Sequence, residues 1–279
     1  MDNAYRRVEP ISPPAPYIGG KKQLAARLAA LIARIPHTTY AEPFVGMGGV
    51  FFRRRQAPSA EVINDRSGDV ANLFRILQRH YVPLMDMLRF QLTSRAEFDR
   101  LIRTEPTTLT DLERAARFLY LQRCAFGGKV VGRTFGVSPA TPGRFDVTKL
   151  GPMLADISER LAGVVIENLA YADFIRRYDS PGTLFYLDPP YFGSERDYGA
   201  DAFARADFER IAEILAGIKG TFVLSINDTP EIRATFAAFE MEDVTLKYTI
   251  GAGEPVGARE LIITKMGMIN EEPKQGELL

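Results

Sequence analysis

The chain has 279 residues and contains no tryptophan, one cysteine and two histidines. With Cys124 alone, no disulfide can close within the chain and no cysteine cluster can hold a metal. His37 and His80 are too few for histidine-based zinc chemistry, so no metal is expected. No apolar run approaches the ~18–20 residues that a membrane-spanning helix needs. The start, Met1-Asp2-Asn3-Ala4-Tyr5-Arg6-Arg7, lacks the apolar stretch of a signal peptide. These absences lead to the expectation of a cytoplasmic protein without membrane contact. Its length fits one large domain or a domain carrying an insertion. Net charge is also absent, but only in sum. Residues 75–150 hold 13 basic against 7 acidic side chains, and residues 151–279 hold 12 against 22. Such asymmetry marks either a face that binds a polyanion or a set of solvated helix faces.

What is present alternates. Lys22–Ile35 carries Leu24, Leu28, Leu31, Ile32 and Ile35 at helical spacing, and Pro36 stops it. Thr38–Ala41 reads as a strand feeding a glycine loop at Gly46-Met47-Gly48-Gly49, with a short helix through Phe52. Glu61–Asn64 reads as a second strand ending at Asp65, and Asp69–Leu77 as a helix. This is the front of a Rossmann-like α/β sheet. From Tyr81 to Cys124 the pattern is helix after helix, followed by a glycine-rich stretch over 126–139 that suggests a hairpin and loop. Residues 77–150 therefore read as an inserted, mainly helical subdomain between 1–76 and 151–279. Alternation then resumes, with a helix over Lys149–Leu161, a strand at Val164–Glu167, a turn at Tyr171-Ala172-Asp173 and an apolar strand over 182–187. A helix over Asp207–Ile218, a strand over Thr221–Ile226 and a helix over Glu231–Phe239 come next. Val244–Thr249 and Glu260–Thr264 suit an antiparallel pair, and the polar tail Asn270–Leu279 is expected to be mobile.

Three clusters carry chemistry. Asp188-Pro189-Pro190-Tyr191 follows the apolar strand, at the sheet edge where open α/β folds bind ligands. It offers a carboxylate, carbonyls on residues that cannot donate, and a flat ring, which suit a planar heterocycle with an exocyclic amino group. The loop at Gly46, Gly48 and Gly49 lets backbone approach a ligand, and Asp65, ending the next strand, can take ribose hydroxyls. Together they fit an adenosine-containing cofactor, although Asp65 is equally a helix-cap acid. The loop has no Lys-Ser/Thr of a triphosphate site. Lys21, after Tyr17-Ile18-Gly19-Gly20, falls near a helix N-terminus where the dipole disfavours a cation. Either an anion lies nearby or the side chain is solvated.

These elements occur in an order that resembles the Dam-like, D12 class DNA adenine-N6 methyltransferases. The resemblance spans roughly residues 15–265. It includes Pro16–Lys21, Glu42-Pro43-Phe44-Val45-Gly46, Asp65, Phe118-Leu119-Tyr120-Leu121-x-Arg123, Phe135-x-Val137-x-Pro139, Tyr171-Ala172-Asp173, Asp188–Tyr191 and Glu260-Leu261-Ile262. One departure is Tyr17-Ile18 where that branch usually has Trp. The resemblance implies an S-adenosyl-L-methionine-dependent enzyme acting on double-stranded DNA, with residues 77–150 as its target-recognition subdomain. It implies cofactor contacts from Tyr17, Gly19, Gly20, Lys21, Glu42, Pro43, Phe44, Gly46, Gly48, Asp65, Asp173 and Asp188. Arg123, Lys129, Arg133 and Arg144 become candidates for DNA contact, within a run from 114 to 149 whose single acid is Asp146.

The implied reaction is direct transfer of a methyl group to the amino group of a flipped base. Asp188 and Pro189 would accept hydrogen bonds from that group, Pro190 would stiffen the turn, and Tyr191 would stack on the ring. Phe203 is the expected aromatic near the base after a short spacer. A cytosine-N4 methyltransferase and a catalytically silent DNA-binding relative stay open as alternatives. No protein partner is indicated, and a monomer is the simplest expectation.

Overall fold

The computed structural model describes residues 5–21, 23–137, 140, 142–198, 203–248 and 256–267. Its strands are β1 (Arg6–Arg7), β2 (Thr39–Glu42), β3 (Gln56–Ala57), β4 (Ala60–Asn64), β5 (Val165–Glu167), β6 (Thr183–Leu187), β7 (Thr221–Asn227), β8 (Glu240–Tyr248) and β9 (Val256–Thr264). Its α-helices are α1 (Ala25–Arg34), α2 (Gly68–Arg79), α3 (Tyr81–Leu88), α4 (Arg95–Arg103), α5 (Asp111–Cys124), α6 (Val147–Arg160), α7 (Tyr171–Tyr178), α8 (Ala206–Gly217) and α9 (Pro230–Thr235). None of the described helices is long and apolar enough to cross a membrane.

Seven strands form one sheet in the order β5-β4-β2-β6-β7-β9-β8. β5, β4, β2, β6 and β7 are parallel, and β9 and β8 close the edge antiparallel. β1 and β3 make a separate two-stranded ribbon. The expected Rossmann-like α/β sheet is therefore present. Both faces of the sheet are covered, so its central strands are continuous apolar runs rather than alternating ones. On one face Tyr40, Ile63, Leu184, Tyr186 and Val223 pack with α1, α2 and α6. On the other Ala41, Val62, Phe185, Leu187 and Leu224 pack with α7, α8 and α9. Residues 77–150 do not hold a core of their own. Leu84, Leu88, Phe98, Phe118 and Tyr120 belong to the same cluster as the first face.

Several boundaries shift. α1 begins at Ala25, and Lys22 lies outside the described residues. Tyr171 opens α7 rather than a turn, with Asp173 in the first helical turn where the dipole favours an acid. α9 ends at Thr235 because Phe236 leaves helical geometry (φ −103°, ψ 19°), and Phe236 and Phe239 pack against each other beyond it. The expected hairpin after Cys124 is a loop closed by a single bridge between Ala125 and Phe135. Gly127, Gly128 and Gly132 adopt φ of 66°, 67° and 60°, which interrupts an extended ladder. Ser138, Pro139, Thr249 and the tail from Asn270 lie outside the described residues.

Beneath the sheet's first face lies a buried ion triad. Glu61 of β4 accepts from Arg160 Nη1 and Nη2 at 2.6 and 2.7 Å and pairs with Arg54. Burial alone would push the Glu61 carboxyl up, but the two guanidiniums overcome it and hold it below its ordinary value. Both arginines also stack on aromatic faces, Arg54 at 3.6 Å from Tyr40 and Arg160 at 4.2 Å from Phe51. The triad joins α6 to the sheet across the whole insertion. Glu61→Ala leaves two buried cations without their acid and is expected to lower the unfolding free energy in urea by about 3–5 kcal/mol. A loss under about 1 kcal/mol would class the triad with surface ion pairs.

Candidate active site

The chain leaves β2 towards β4 and β5 and returns to β6 on the other side, so a crevice opens between β2 and β6. The parallel strands deliver acids to this edge. Glu42 ends β2, Asp65 follows β4 and Asp188 follows β6. β9 runs the opposite way, which brings Glu260 to the same edge, opposite Asn227 at the end of β7. A cavity of about 920 Å³ sits over these ends.

Of the residues expected in a site, Tyr17, Gly19, Gly20, Lys21, Glu42, Phe44, Gly46, Asp65, Asp188, Pro190 and Arg123 line that cavity. Phe203 lines it too, its ring edge-on to Phe44 at 6.0 Å and to Phe208 at 4.9 Å. Pro43, Gly48, Pro189, Tyr191, Lys129, Arg133 and Arg144 do not line it, and Asp173 faces solvent in a pair with Arg176 at 2.9 Å.

Lys21 is neither solvated nor waiting for an external anion. Its Nζ lies 3.0 Å from Asp188 and 3.2 Å from Glu260, and it donates to the Tyr191 hydroxyl at 2.7 Å. Tyr191 donates in turn to Glu260. The Tyr191 ring therefore belongs to the ion cluster, with Lys21 Nζ 4.2 Å from its centroid. The Lys21 and Glu260 side chains are 1% exposed and that of Asp188 is 21% exposed, so Asp188 is the member that faces the cavity. Behind it Ser225 also hydrogen-bonds the Asp188 carboxylate, and Tyr186 holds Ser225 at 2.8 Å. Asn227 fixes the turn after the tetrapeptide, accepting from Phe192 N at 2.9 Å and donating to Phe192 O at 3.0 Å.

The acids at this edge are incompletely compensated. Burial pushes the Glu42 carboxyl up to about 8, against a hydrogen bond from Tyr40 at 2.7 Å. Burial also raises Asp65 and Asp188 to about 6 each, with Lys21 opposing the rise at Asp188. Groups so perturbed in one cleft mark a site suited to a cation or to hydrogen-bond donors.

The glycine loop divides its duties. A Cβ on Gly46 (φ +49°) would stand 3.1 Å from the Tyr17 ring, so Tyr17 lies against the bare loop. A Cβ on Gly48 (φ +74°) would stand 2.5 Å from the Phe52 ring, so Gly48 serves packing and not ligand approach. Asp65 accepts from Gly46 N at 2.9 Å and Ser67 N at 2.8 Å. It thereby ties the loop to the start of α2 while still lining the cavity. Pro43 is taken up by Asn64, whose side-chain amide donates to the Pro43 carbonyl at 2.9 Å.

Three of the four basic candidates are tied to the chain itself. Arg123 donates to Pro14 O at 2.8 Å, Arg144 to Ala125 O at 3.0 Å, and Arg133 to Lys129 O and Gln122 Oε1 at 3.2 and 3.1 Å. The loop over 125–137 has few ladder bonds, so guanidiniums satisfy its carbonyls instead. Lys129 is the exposed one. Gln122, fully buried, joins the two loops at the cavity mouth by donating to Pro16 O at 2.9 Å and Gly128 O at 2.6 Å. Sequence reasoning missed Gln122, Ser225 and Asn227. It met Glu260 only within a motif, although a charge entering Leu261-Ile262-Ile263 is itself a sign of a buried partner.

The family described as D12 class N6 adenine-specific DNA methyltransferase matches residues 17–250. Type II methyltransferase M1.LlaDCHI of Lactococcus lactis subsp. cremoris is 26% identical, covering 90% of this chain and 94% of that protein. Type II methyltransferase M.CviBI of Paramecium bursaria Chlorella virus NC1A is 21% identical over 81% and 89%. Retron Ec67 DNA adenine methylase of Escherichia coli is 27% identical over 79% and 80%.

The raised carboxyls also set how stability responds to pH. A folded-state value above the unfolded one binds extra protons in the native state, so stability falls as pH rises through the window. For Glu42 that window runs from 4.5 to about 8, whereas Asp65 and Asp188 act only up to about 6. Between pH 6 and 8 the ligand-free protein is expected to lose stability in urea, and Glu42→Gln to flatten that slope. Equal slopes in both proteins would contradict the assignment.

Proposed function

Because the chain belongs to the D12 class of N6 adenine-specific DNA methyltransferases, we propose that the crevice between β2 and β6 is where it methylates adenine in duplex DNA. The observation that carries this reading is Asp188, the one carboxylate of the Lys21 cluster that reaches the cavity. The cavity also fits the methyl donor that the family implies. Its volume lies at the upper end of the ~300–1,000 Å³ of ligand pockets, which leaves room for a cofactor beside a base. Its walls combine aromatic faces at Tyr17 and Phe44 with carboxyl groups at Glu42, Asp65 and Asp188.

When bound, S-adenosylmethionine supplies an electrophilic methyl group on a sulfonium. Tyr17 and Phe44 would pack on it, Asp65 would accept from ribose hydroxyls, and the Asp188 carboxylate would favour its positive charge. A stacked adenine is out of reach, so the base is flipped into the cavity. The Asp188 carboxylate accepts from its amino group. That acceptor draws the nitrogen away from planarity and frees its lone pair, which in free adenine is delocalised into the ring. Lys21 and Ser225 hold the Asp188 carboxylate so that no reorganisation is needed during transfer. Phe203 offers an apolar wall to the base, and Asp188 is placed to take the proton that the product amine sheds.

In this reading residues 77–150 face DNA, supported by their excess of basic over acidic side chains. Lys129 contributes phosphate attraction, whereas Arg123, Arg133 and Arg144 shape the loop that presents it. Mass analysis of nucleosides from DNA of cells expressing the protein is expected to reveal N6-methyladenine; N4-methylcytosine instead would overturn the base assignment. Asp188→Asn is expected to lower turnover by roughly 10²–10³-fold while S-adenosylhomocysteine affinity changes little. Asp188 must be ionised to accept, so kcat/KM is expected to fall below about pH 6 and to level off above it. A profile flat from pH 5 to 8 would remove Asp188 from this role.

A further inference from the structure

Among the described residues, four cations line the cavity, namely Lys21, Arg53, Arg66 and Arg123. Three are accounted for. Lys21 is neutralised by Asp188 and Glu260. Arg123 is spent on the carbonyls of Pro14 and Arg144. Arg66 is exposed and solvated. Arg53 differs from all of them. It is half-buried, on the 3-10 turn Phe51–Arg53 that follows the glycine loop, and its Nη1 donates to Gly49 O at 2.6 Å. Among the described residues no carboxylate pairs with it. Burial pulls its guanidinium below its ordinary value, and no neighbouring acid raises it again. A partly desolvated cation without an anion is costly, and an arginine fork is shaped to take a carboxylate or phosphate in two hydrogen bonds.

We infer that Arg53 is the binding residue for the α-carboxylate of the methionine part of the methyl donor. The inference rests on the reading of this cavity as the S-adenosylmethionine site. A DNA phosphate offers the same chemistry, but a half-buried side chain held against the Gly49 carbonyl, on the same turn as Gly46, sits with the cofactor loop rather than on a duplex-facing surface. The placement divides the cations of the cavity by task. Lys21 orients the acid at the methyl acceptor, and Arg53 anchors the donor's far end.

The test is calorimetric titration of the DNA-free protein with S-adenosylhomocysteine and with its decarboxylated analogue, which differs only in the group Arg53 would hold. Arg53→Met is expected to weaken S-adenosylhomocysteine about 10- to 100-fold and to leave the analogue within about 3-fold, with Arg53→Lys recovering part of the loss. Binding of the analogue also reports that the variant is folded. Equal losses on both ligands, or unchanged S-adenosylhomocysteine affinity, would overturn the assignment. A loss confined to duplex affinity and its salt dependence would also overturn it and give Arg53 to phosphate. Failure of the unaltered protein to bind S-adenosylhomocysteine at all would overturn the cofactor reading itself, and this inference with it.

Discussion

One buried ammonium organises the edge of the sheet where the cavity lies. Removing a lysine from water costs several kcal/mol unless carboxylates and hydrogen bonds replace its hydration. Lys21 finds Asp188 and the Tyr191 hydroxyl on the turn after β6, and Glu260 on β9. Satisfying that one charge therefore ties the amino-terminal loop to the end of β6 and to β9. It also leaves a surplus. Two carboxylates against one ammonium make a net negative cluster, and the exposed member is Asp188. The residual charge points into the cavity, where an amino group or a sulfonium can use it.

The same economy of charge runs through the rest of the edge. Glu42, Asp65 and Asp188 are all pushed upward by burial, and none is fully compensated. Each is held by its own donor, Glu42 by Tyr40, Asp65 by two backbone amides and Asp188 by Lys21 and Ser225. Hydrogen bonds fix where these acids point, and burial sets how strongly they want a positive partner. Acids held so suit a cation or hydrogen-bond donors.

The basic segment shows why charge counts do not assign roles. Thirteen basic residues between 75 and 150 suggested a surface for a polyanion. Arg123, Arg133 and Arg144 instead hold loop carbonyls that no strand ladder satisfies. Gln122 completes the arrangement by joining Pro16 to Gly128. Glycines that permit the tight loop also deny it ladder bonds, so side chains must supply the donors. Lys129, by contrast, is exposed on the same loop.

The sheet is legible in the sequence because its signals are local. Apolar runs such as Leu184–Leu187 and Phe222–Leu224 mark strands covered on both faces, and the acids at 42, 65 and 188 stand at or one step past strand ends. The glycine loop and the tetrapeptide could likewise be placed at one edge from topology alone. The partner of Lys21 could not, because Tyr191 stands 170 residues away and Glu260 further still. The hairpin that became a loop, and the arginines that became its donors, depended on which backbone groups the fold left unsatisfied. Periodicity and strand-end chemistry are properties of a few neighbouring residues, so the sequence by itself determined the layers of the sheet and the acids along its edge. Ion pairing and burial are properties of distant segments brought together, so only the tertiary structure decided which charges are neutralised and which member of the Lys21 cluster, Asp188, faces the cavity.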